Sequence, residues 1–356
     1  MASATEIAAM RRALALADAA PWQGHPNPTV GAVVLDPSGA VVGTGVSAPR
    51  GGPHAEVVAL AEAGPAAAGG TVVVTLEPCA ARGRTPACTE ALVAAGVRRV
   101  VHAAADPQPP FGGGAARLRE AQVCVEGGVL AAEARAGAAL AGWLTAVAAG
   151  RPVVTWKSAT TLDGRTAAVD GSSRWITDSA ARSDAHALRS RHDAVLVGIG
   201  TVLADDPELT VRDAPGPQPL RVVADPHGRT PRTARVLGPG SLVAVGSGCE
   251  AVGEGVVKVD EGPGGLDPLS LLEALAARGV RSVLLEGGAR LAGSFVRAGL
   301  VDRAVIYLAP ALLGAGTPVL GDVGIATMSD AQRWRFEDVS VVGCDLRVIA
   351  RPLRDG

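Results

Sequence analysis

The sequence predicts an α/β protein of two domains. With 356 residues it is longer than one compact core needs, at the usual one domain per roughly 150 residues. A hydrophobic fraction of 48% excludes a disordered chain, which would be poor in apolar residues. In both halves, short runs of β-branched residues alternate with segments of helical periodicity, and this alternation is typical of an α/β layer.

The first half is expected to form a helix, a hairpin and then alternating strands and helices. Apolar residues at helical spacing indicate the first helix, and Asp36-Pro37-Ser38-Gly39 is typical of a hairpin turn. Because Gly150-Arg151-Pro152 breaks the last helix, we predict domains at 1–148 and 149–356. The predicted strands span residues 30–35, 41–46, 71–76, 99–104 and 123–126. The predicted helices span residues 3–20, 54–63, 85–95, 115–121 and 130–149.

The second half is expected to continue the alternation of strands and helices. Asp178 or Ser179 can cap its first helix. The Pro/Gly-rich segments 213–219 and 262–265 are expected to be surface loops, because strands resume soon after them. The predicted strands span residues 153–158, 194–197, 220–224, 242–245, 282–285, 304–309 and 346–350. The predicted helices span residues 179–191, 268–277 and 289–297.

Charge and the length of apolar runs exclude several classes of function. The net charge of -2, from 33 basic and 35 acidic residues, attracts neither nucleic acid nor an anionic membrane, so a small-molecule substrate is favoured. The longest uncharged apolar run, residues 136–150, is shorter than the roughly 20 residues of a membrane span. The N-terminal segment does not resemble a secretory signal, so we expect a cytoplasmic protein.

A histidine, a glutamate and two cysteines in the first half predict a catalytic zinc site. His54 opens a predicted helix, Glu56 lies two residues later, and Cys79 and Cys88 follow a predicted buried strand. Catalytic zinc takes three protein ligands and leaves its fourth position to water, so the histidine and both cysteines suffice. In zinc deaminases the glutamate of a His-x-Glu pair moves a proton from the attacking water to the departing ammonia, and we expect this role for Glu56.

Each part of this pattern also has an ordinary interpretation. His-x-Glu alone fits a helix start, and a lone cysteine fits core packing, so the zinc prediction depends on the complete set in this order. Five cysteines are an odd number and form no disulfide framework. The other three, Cys124, Cys249 and Cys344, are therefore expected to be packing residues.

Three motifs in the first half resemble the deaminase part of the bifunctional deaminase/reductase family of riboflavin biosynthesis, the RibD family. They are HPNPTVGAVV (25–34), HAEVVAL (54–60) and TLEPCAARGRTPAC (75–88). The resemblance implies a cytidine-deaminase-like α/β/α layer with one Zn²⁺ per chain on His54, Cys79 and Cys88. It also implies that Asn27 lines the pyrimidine pocket and that Arg84 lies near the substrate.

The chain departs from the family pattern at five positions, none of which is a zinc ligand. Ala81 and Ser47 stand where the family has histidine, Gln108 where it has asparagine, and Ala87 where it has proline. Pro226 replaces a serine or threonine that faces the cofactor. These changes affect how the pyrimidine and its phosphate are held, and one hydrogen bond to the cofactor.

Four motifs in the second half resemble the reductase part of the same family. They are VTWKSATTLDGR (154–165), SSRWIT (172–177), VGIGTVLADDPELTVR (197–212) and LLEGGARLAGSF (284–295). No G-x-G-x-x-G follows a strand, so a Rossmann dinucleotide site is not indicated; the glycine pair in LLEGG fits either phosphate at a helix N-terminus or a plain turn. The resemblance implies a dihydrofolate-reductase-like domain that uses NADPH. It implies NADPH contacts at Ala159, Trp175, Thr201, Asp205, Gly288, Ala289, Arg290, Leu291, Ala292, Gly293 and Ser294. It implies substrate contacts at Ser173, Arg189, Leu209, Arg212 and Glu286.

The chemistry of these side chains fits the reduction of a sugar phosphate. Arg189 and Arg212 can bind a phosphate bidentately, and Glu286 can accept sugar hydroxyls. Lys157, one of two lysines, can polarise a sugar oxygen, although it also fits a surface lysine at a strand end. Asp205 can orient the sugar C1 and assist proton delivery, although Ala-Asp-Asp-Pro also fits a turn.

Together these features predict a bifunctional enzyme with no nucleic-acid or membrane partner. Its first domain would deaminate 2,5-diamino-6-(5-phosphoribosylamino)pyrimidin-4(3H)-one, and its second would reduce the ribosyl chain with NADPH. The family resemblance implies a homo-oligomer built on the reductase domains. Two alternatives stay open at this point: a nucleic-acid deaminase, and a chain in which Ala81 and Ser47 impair deamination and leave a reductase or metabolite-binding protein.

Overall fold

The chain folds into two compact α/β units, Met1–Ala149 and Gly150–Gly356. We describe them from a computed structural model, in residues 1–19, 24, 26–49, 51–83, 85–109, 111–212, 214–250 and 255–353. Each unit has its own sheet and its own buried apolar clusters. The predicted α/β class is therefore confirmed for both halves.

The first unit is a five-stranded sheet with helices on both faces, the predicted α/β/α layer. Its strands are β1 (Gly31–Leu35), β2 (Val41–Val46), β3 (Thr71–Leu76), β4 (Arg99–Ala104) and β5 (Cys124–Gly127). Its helices are α1 (Ala4–Asp18), α2 (Ala55–Ala63), α3 (Cys88–Ala94), α4 (Gly114–Glu120), α5 (Ala131–Ala136) and α6 (Ala141–Ala149). The strand order is β2-β1-β3-β4-β5; β1 is antiparallel to both of its neighbours, and β3, β4 and β5 are parallel.

Alternating side chains of the strands reach the two helical layers. On β1, Val33 packs with α1 and Ala32 packs with α2, because successive strand residues face opposite sides of a sheet. The hairpin turn is formed as predicted, with Gly39 in the left-handed region at φ +90°. The carboxyl ends of β3 and β4 lie side by side because the strands are parallel, so the segments that follow them meet at one edge.

The predicted continuous helix 130–149 is wrong, because α5 and α6 are separate. Gly137 ends α5 in an extended conformation. The Asp18 carboxylate accepts a hydrogen bond from the Ala139 N–H at 2.8 Å. In a continuous helix this N–H would instead donate to the backbone carbonyl oxygen four residues earlier. Glycine also has a poor helix propensity, so Gly137 and this tertiary contact together outweigh the helix propensity of the surrounding alanines.

The second unit has a nine-stranded sheet and two small two-stranded sheets. Its helices are α7 (Ser179–Ser190), α8 (Ile199–Asp205), α9 (Pro268–Ala276) and α10 (Ala289–Arg297). Its strands are β6 (Val153–Thr161), β7 (Arg165–Ala167), β8 (Ala194–Gly198), β9 (Leu220–Ala224), β10 (Ser241–Gly246), β11 (Val256–Val259), β12 (Glu261–Gly262), β13 (Gly265–Leu266), β14 (Ser282–Leu285), β15 (Arg303–Ala309), β16 (Thr317–Pro318), β17 (Trp334–Val342) and β18 (Asp345–Pro352). The large sheet has the order β11-β10-β9-β8-β14-β6-β15-β18-β17, parallel as far as β15 and antiparallel beyond it.

Several elements of the second unit are absent from the sequence prediction. The helix α8 and the edge strand β17 are the largest of them. Residues 262–265, predicted as a surface loop, form the turn of the β12–β13 hairpin. Asp178 rather than Ser179 caps α7, since its carboxylate accepts the Ala181 N–H at 2.9 Å.

The cysteines outside the predicted zinc set do not pack as expected. Cys124 and Cys344 are exposed, and Cys249 is half-buried, so the prediction that all three are packing residues is wrong. Cys124 lies on β5, an edge strand of the first sheet. Within the described part of the chain, no helix combines the length and apolar character that crossing a bilayer requires.

Candidate active sites

The predicted zinc ligands come from three elements that converge at one edge of the first sheet. His54 immediately precedes α2, Cys79 follows β3 by three residues, and Cys88 is the first residue of α3. Helices start at this edge because the strands that precede them in the chain end there. The topology of the sheet therefore brings these three residues together, although they are far apart in the sequence.

The three ligand atoms are close enough to share one ion. His54 Nδ1 lies 3.1 Å from Cys88 Sγ and 3.7 Å from Cys79 Sγ, and all three atoms lie within 4.8 Å of one another. Tetrahedral zinc, with bonds near 2.1 Å to nitrogen and 2.3 Å to sulfur, separates its ligands by roughly 3.6 Å. One imidazole and two sulfurs are also a donor set that zinc prefers, so these residues fit the metal.

Hydrogen bonds prepare both the histidine and the cysteines for this role. Thr85 Oγ1 lies 3.4 Å from His54 Nε2, the ring nitrogen that faces away from the sulfurs, and can fix the tautomer. The Cys88 backbone N–H donates to Cys79 Sγ at 3.2 Å. A hydrogen bond from the Cys88 thiol, with a further one from His54, lowers the pKa of Cys79 to about 4, so this sulfur is a thiolate at neutral pH.

Glu56 lies in the first turn of α2, beside the cluster. Its side chain is buried, with 4% of the residue exposed, and burial raises the pKa of the Glu56 carboxyl. A carboxyl group whose pKa is raised takes up a proton more readily than an ordinary carboxyl group, which suits a group that accepts a proton and then passes it on. The structure therefore places a proton-transfer group next to the ligand set without making it a ligand.

A cavity of about 290 Å³ opens onto this cluster. Asn27, predicted to line the pyrimidine pocket, does line it, whereas Arg84 lies outside the described residues. Three of the positions that depart from the family pattern also line it: Ser47, Ala81 and Gln108. Ser47 is buried and its hydroxyl accepts the Val30 N–H at 3.0 Å, so this side chain supports the cavity wall.

Sequence reasoning missed several residues of this cavity, notably Asp106, Phe111 and Trp143. Asp106 follows β4 at the same sheet edge at which Glu77 follows β3, a position that the parallel strands could have revealed. Glu77 connects the segments that follow β3 and β4, because its carboxylate accepts hydrogen bonds from the backbone N–H groups of Asp106 at 3.2 Å and Ala115 at 2.9 Å.

The second unit brings three predicted residues into one partly buried ionic cluster. Arg189 donates two hydrogen bonds to the Glu286 carboxylate, at 2.7 and 3.0 Å, and Lys157 Nζ lies 3.9 Å from the same carboxylate. Burial alone would raise the pKa of Glu286, but the charges of Arg189 and Lys157 lower it to about 2. Lys157 lies inside β6 with 18% of its side chain exposed, so the alternative of a surface lysine at a strand end is wrong.

A cavity of about 730 Å³ lies over this cluster. The predicted residues that line it are Lys157, Ser173, Trp175, Arg189, Thr201, Asp205, Leu209, Arg212 and Glu286. Asp205 ends α8 and is exposed, and the Arg174 side chain donates to its backbone oxygen at 3.1 Å. The turn begins after it, at Asp206, which has φ +41°.

The other predicted cofactor residues do not line this cavity. Ala159 packs under α7, and residues 288–294 form the start of α10, where Ala292 and Gly293 are buried. The start of α10 still fits a phosphate: no side chain caps it, and among the described residues no atom beyond the neighbours of Gly288 in the chain lies within 4 Å of the place where a Cβ on Gly288 would stand. The residues present therefore fit a dinucleotide phosphate at this helix end.

Further residues of the second cavity were not predicted. Arg182 and His186 lie on the same face of α7 as Arg189, at spacings of four and three residues, and this helical periodicity was the signal that could have found them. The Arg182 guanidinium stacks 4.4 Å from the ring centre of Trp175. Glu208 and Arg235 also line the cavity, and they come from separate connections.

Comparisons with known proteins match both units. The family described as cytidine and deoxycytidylate deaminase zinc-binding region matches residues 3–104, and the family described as RibD C-terminal domain matches residues 152–348. Riboflavin biosynthesis protein RibD of Mycobacterium tuberculosis is 48% identical over 326 residues, which are 90% of this chain and 90% of that protein.

Solved structures cover nearly the full chain. A structure of Acinetobacter baumannii RibD has a TM-score of 0.88 and 37% identity, and the match covers 98% of this chain and 99% of that one. The structure of a diaminohydroxyphosphoribosylaminopyrimidine deaminase/5-amino-6-(5-phosphoribosylamino)uracil reductase from Thermotoga maritima has a TM-score of 0.83 and 33% identity, with the same coverage. These likenesses confirm the predicted pairing of a deaminase-like with a reductase-like fold.

Proposed function

Because the chain belongs to the RibD family of bifunctional riboflavin-biosynthesis enzymes, we propose that each of its two units carries one of the family's two reactions. The first unit would deaminate 2,5-diamino-6-(5-phosphoribosylamino)pyrimidin-4(3H)-one with Zn²⁺, and the second would reduce the product with NADPH to 5-amino-6-(5-phosphoribitylamino)uracil. The boundary between the two activities would lie near residues 148–149. We further infer a cytoplasmic homo-oligomer that acts on small molecules and binds no nucleic acid.

In the first unit, His54, Cys79 and Cys88 would hold the zinc. Bound zinc supplies a Lewis acid that lowers the pKa of water. Glu56 would take a proton from the attacking water on its carboxylate and return it to the amino nitrogen, so that ammonia leaves as a neutral molecule. Asn27 would orient the pyrimidine, and Arg84 is proposed from the family resemblance alone to lie near the substrate.

In the second unit, the partly buried ionic cluster of Lys157, Arg189 and Glu286 would hold the sugar phosphate chain of the substrate. Bound NADPH supplies the hydride for the reduction. Lys157 would donate a hydrogen bond to the sugar oxygen that gains negative charge, while Glu286 would accept sugar hydroxyls. Asp205 would orient C1 and assist proton delivery.

The remaining second-unit roles follow the family resemblance. Proposed substrate contacts are Ser173, Arg189, Leu209 and Arg212. Proposed cofactor contacts are Ala159, Trp175, Thr201, Asp205, Gly288, Ala289, Arg290, Leu291, Ala292, Gly293 and Ser294. The open start of α10 supports the cofactor assignment, since backbone N–H groups at a helix N-terminus bind phosphate.

The observation that carries the deaminase proposal is the convergence of His54 Nδ1 and two cysteine sulfurs within 4.8 Å, beside a buried glutamate. The experiment supplies the diaminopyrimidinone nucleotide to the enzyme with and without NADPH, and follows ammonia and NADPH oxidation separately. We expect ammonia in both reactions and NADPH oxidation only when NADPH and the deaminated product are both present. Absence of ammonia in both reactions would refute the deaminase assignment, and ammonia without NADPH oxidation would refute the reductase assignment.

A further inference from the structure

Two arginines in the cavity of the second unit bind the same carboxylate. Arg212 Nη1 donates to Glu208 Oε2 at 2.8 Å, and Arg235 Nη2 donates to the other oxygen, Oε1. All three residues line the cavity of about 730 Å³. Arg235 lies 27 residues beyond Glu208, in the connection from β9 to β10, so two separate connections direct their guanidinium groups to one point.

The backbone around this point is held by contacts that do not involve the Glu208 side chain. The Arg235 N–H donates to Asp206 Oδ1 at 2.8 Å, which joins the two connections directly. Leu209 is buried, with 3% exposed, and Arg189 donates to the Thr210 carbonyl oxygen at 3.0 Å. The backbone positions of the two arginines therefore do not depend on the Glu208 carboxylate.

The chemistry at this point favours a doubly charged anion over a carboxylate. Two guanidinium groups can offer parallel pairs of N–H donors, and a phosphate monoester has three acceptor oxygens and a charge near -2. Glu208 has two oxygens, a charge of -1 and a side chain that is 32% exposed, and besides the two arginines the Thr210 hydroxyl donates to its Oε2 at 3.5 Å. Hydrogen bonding from Arg235, together with the nearby charges, holds the pKa of Glu208 below its ordinary value, so it is ionised at neutral pH.

We propose that Arg212 and Arg235 together form a phosphate-monoester site, and that the Glu208 carboxylate occupies this site until a ligand phosphate displaces it. The proposal rests on the reductase function of this unit and adds two residues to it, Arg235 as a phosphate ligand and Glu208 as a competing anion. The phosphate can come from two sources in that reaction, the ribosyl phosphate of the substrate or the 2′-phosphate of NADPH. Glu208 then makes the site selective, because a ligand without a phosphate dianion cannot displace it.

Binding of small phosphate monoesters tests the proposal without relying on activity. Calorimetric titrations with ribose 5-phosphate and with 2′-AMP would be run on the full-length enzyme and four variants. We expect Arg235→Met to weaken binding of one of these probes about tenfold, with Arg235→Lys between it and the wild type. We expect Glu208→Gln to tighten binding of the same probe about threefold to tenfold, because the competing charge is gone. The matched control, Arg232→Met, changes an exposed arginine three residues away that does not line the cavity, and should bind both probes as the wild type does.

The probe that responds identifies the source of the phosphate, and either response supports the site. Arg235→Met binding both probes as tightly as the wild type would overturn the phosphate role, and Glu208→Gln binding both equally or more weakly would overturn the competing-anion role. A second readout compares 5-amino-6-(5-phosphoribosylamino)uracil with its dephosphorylated riboside, or NADPH with NADH. The ratio of kcat/KM within the responding pair should fall about tenfold in Arg235→Met, whereas a merely structural defect lowers both members equally. A wild-type enzyme that binds a probe but oxidises no NADPH would refute the reductase function and leave the site in place.

Discussion

Replacing Glu56 by glutamine removes the proposed proton carrier while changing almost nothing else. Glutamine has nearly the same volume, and the ligand set of His54, Cys79 and Cys88 stays intact. General acid–base catalysis by a positioned side chain contributes about 10²- to 10⁴-fold, which is about 3–5 kcal/mol of barrier. Since Glu56 is 4% exposed, bulk water has little access to replace it. We therefore expect ammonia release to fall by that factor.

The assay follows ammonia release and zinc content on the same preparation. Zinc should stay at one ion per chain in Glu56→Gln, and NADPH-dependent reduction of the deaminated product should be unchanged. Glu62→Gln is the control, since Glu62 lies on the same helix but is exposed and binds Thr44. Ammonia release within about tenfold of the wild type would refute the proton-transfer role, and loss of zinc would show that Glu56 holds the metal.

Three further substitutions test residues that bind the metal or hold the two sites in place. Cys79→Ser should lose zinc and ammonia release while reduction of the deaminated product continues, as measured by metal analysis and the two separate assays; retained zinc would contradict the ligand set. Gly114→Ala should weaken zinc retention against a chelator by about tenfold or more, because a Cβ there collides with the Pro78 carbonyl oxygen next to Cys79; unchanged retention would contradict this coupling. Glu286→Gln should destabilise the second unit by about 3 kcal/mol, as measured by chemical denaturation, since it leaves the partly buried Arg189 without the opposite charge of its partner. The pKa of Glu286 lies at about 2 in the folded chain and near 4.5 in the unfolded chain. The stability difference between the wild type and Glu286→Gln should therefore be constant above pH 4.5 and shrink as the pH falls from there toward 2. A stability difference that grows in acid would refute the ion-pair account.

The zinc site could be predicted from the sequence because each ligand carries a local signal. His54 stands at a helix start, Cys79 follows a strand of six residues, and Cys88 starts the next helix. Such boundaries are encoded by nearby residues, and parallel strands bring their carboxyl ends together whatever the intervening loops do. The edge position of Asp106 follows from the same rule, although it was not inferred.

The missed features depend on contacts between distant residues. Arg189 and Glu286 are 97 positions apart, and no local pattern shows that they form hydrogen bonds. The break before α6 depends on Asp18, which lies 121 positions from Ala139. β17 was missed because most of its residues are exposed, so its sequence lacks the alternation of a half-buried strand.

The central claim is that two separate sites, one in each unit, perform the two reactions. The most direct measurement gives the diaminopyrimidinone nucleotide and NADPH to Glu56→Gln, to Glu286→Gln and to an equimolar mixture of both, and follows ammonia and NADPH oxidation together. The account predicts neither signal from Glu56→Gln alone, ammonia without NADPH oxidation from Glu286→Gln, and both signals from the mixture. Loss of ammonia release in Glu286→Gln, or a mixture that does not recover NADPH oxidation, would contradict it.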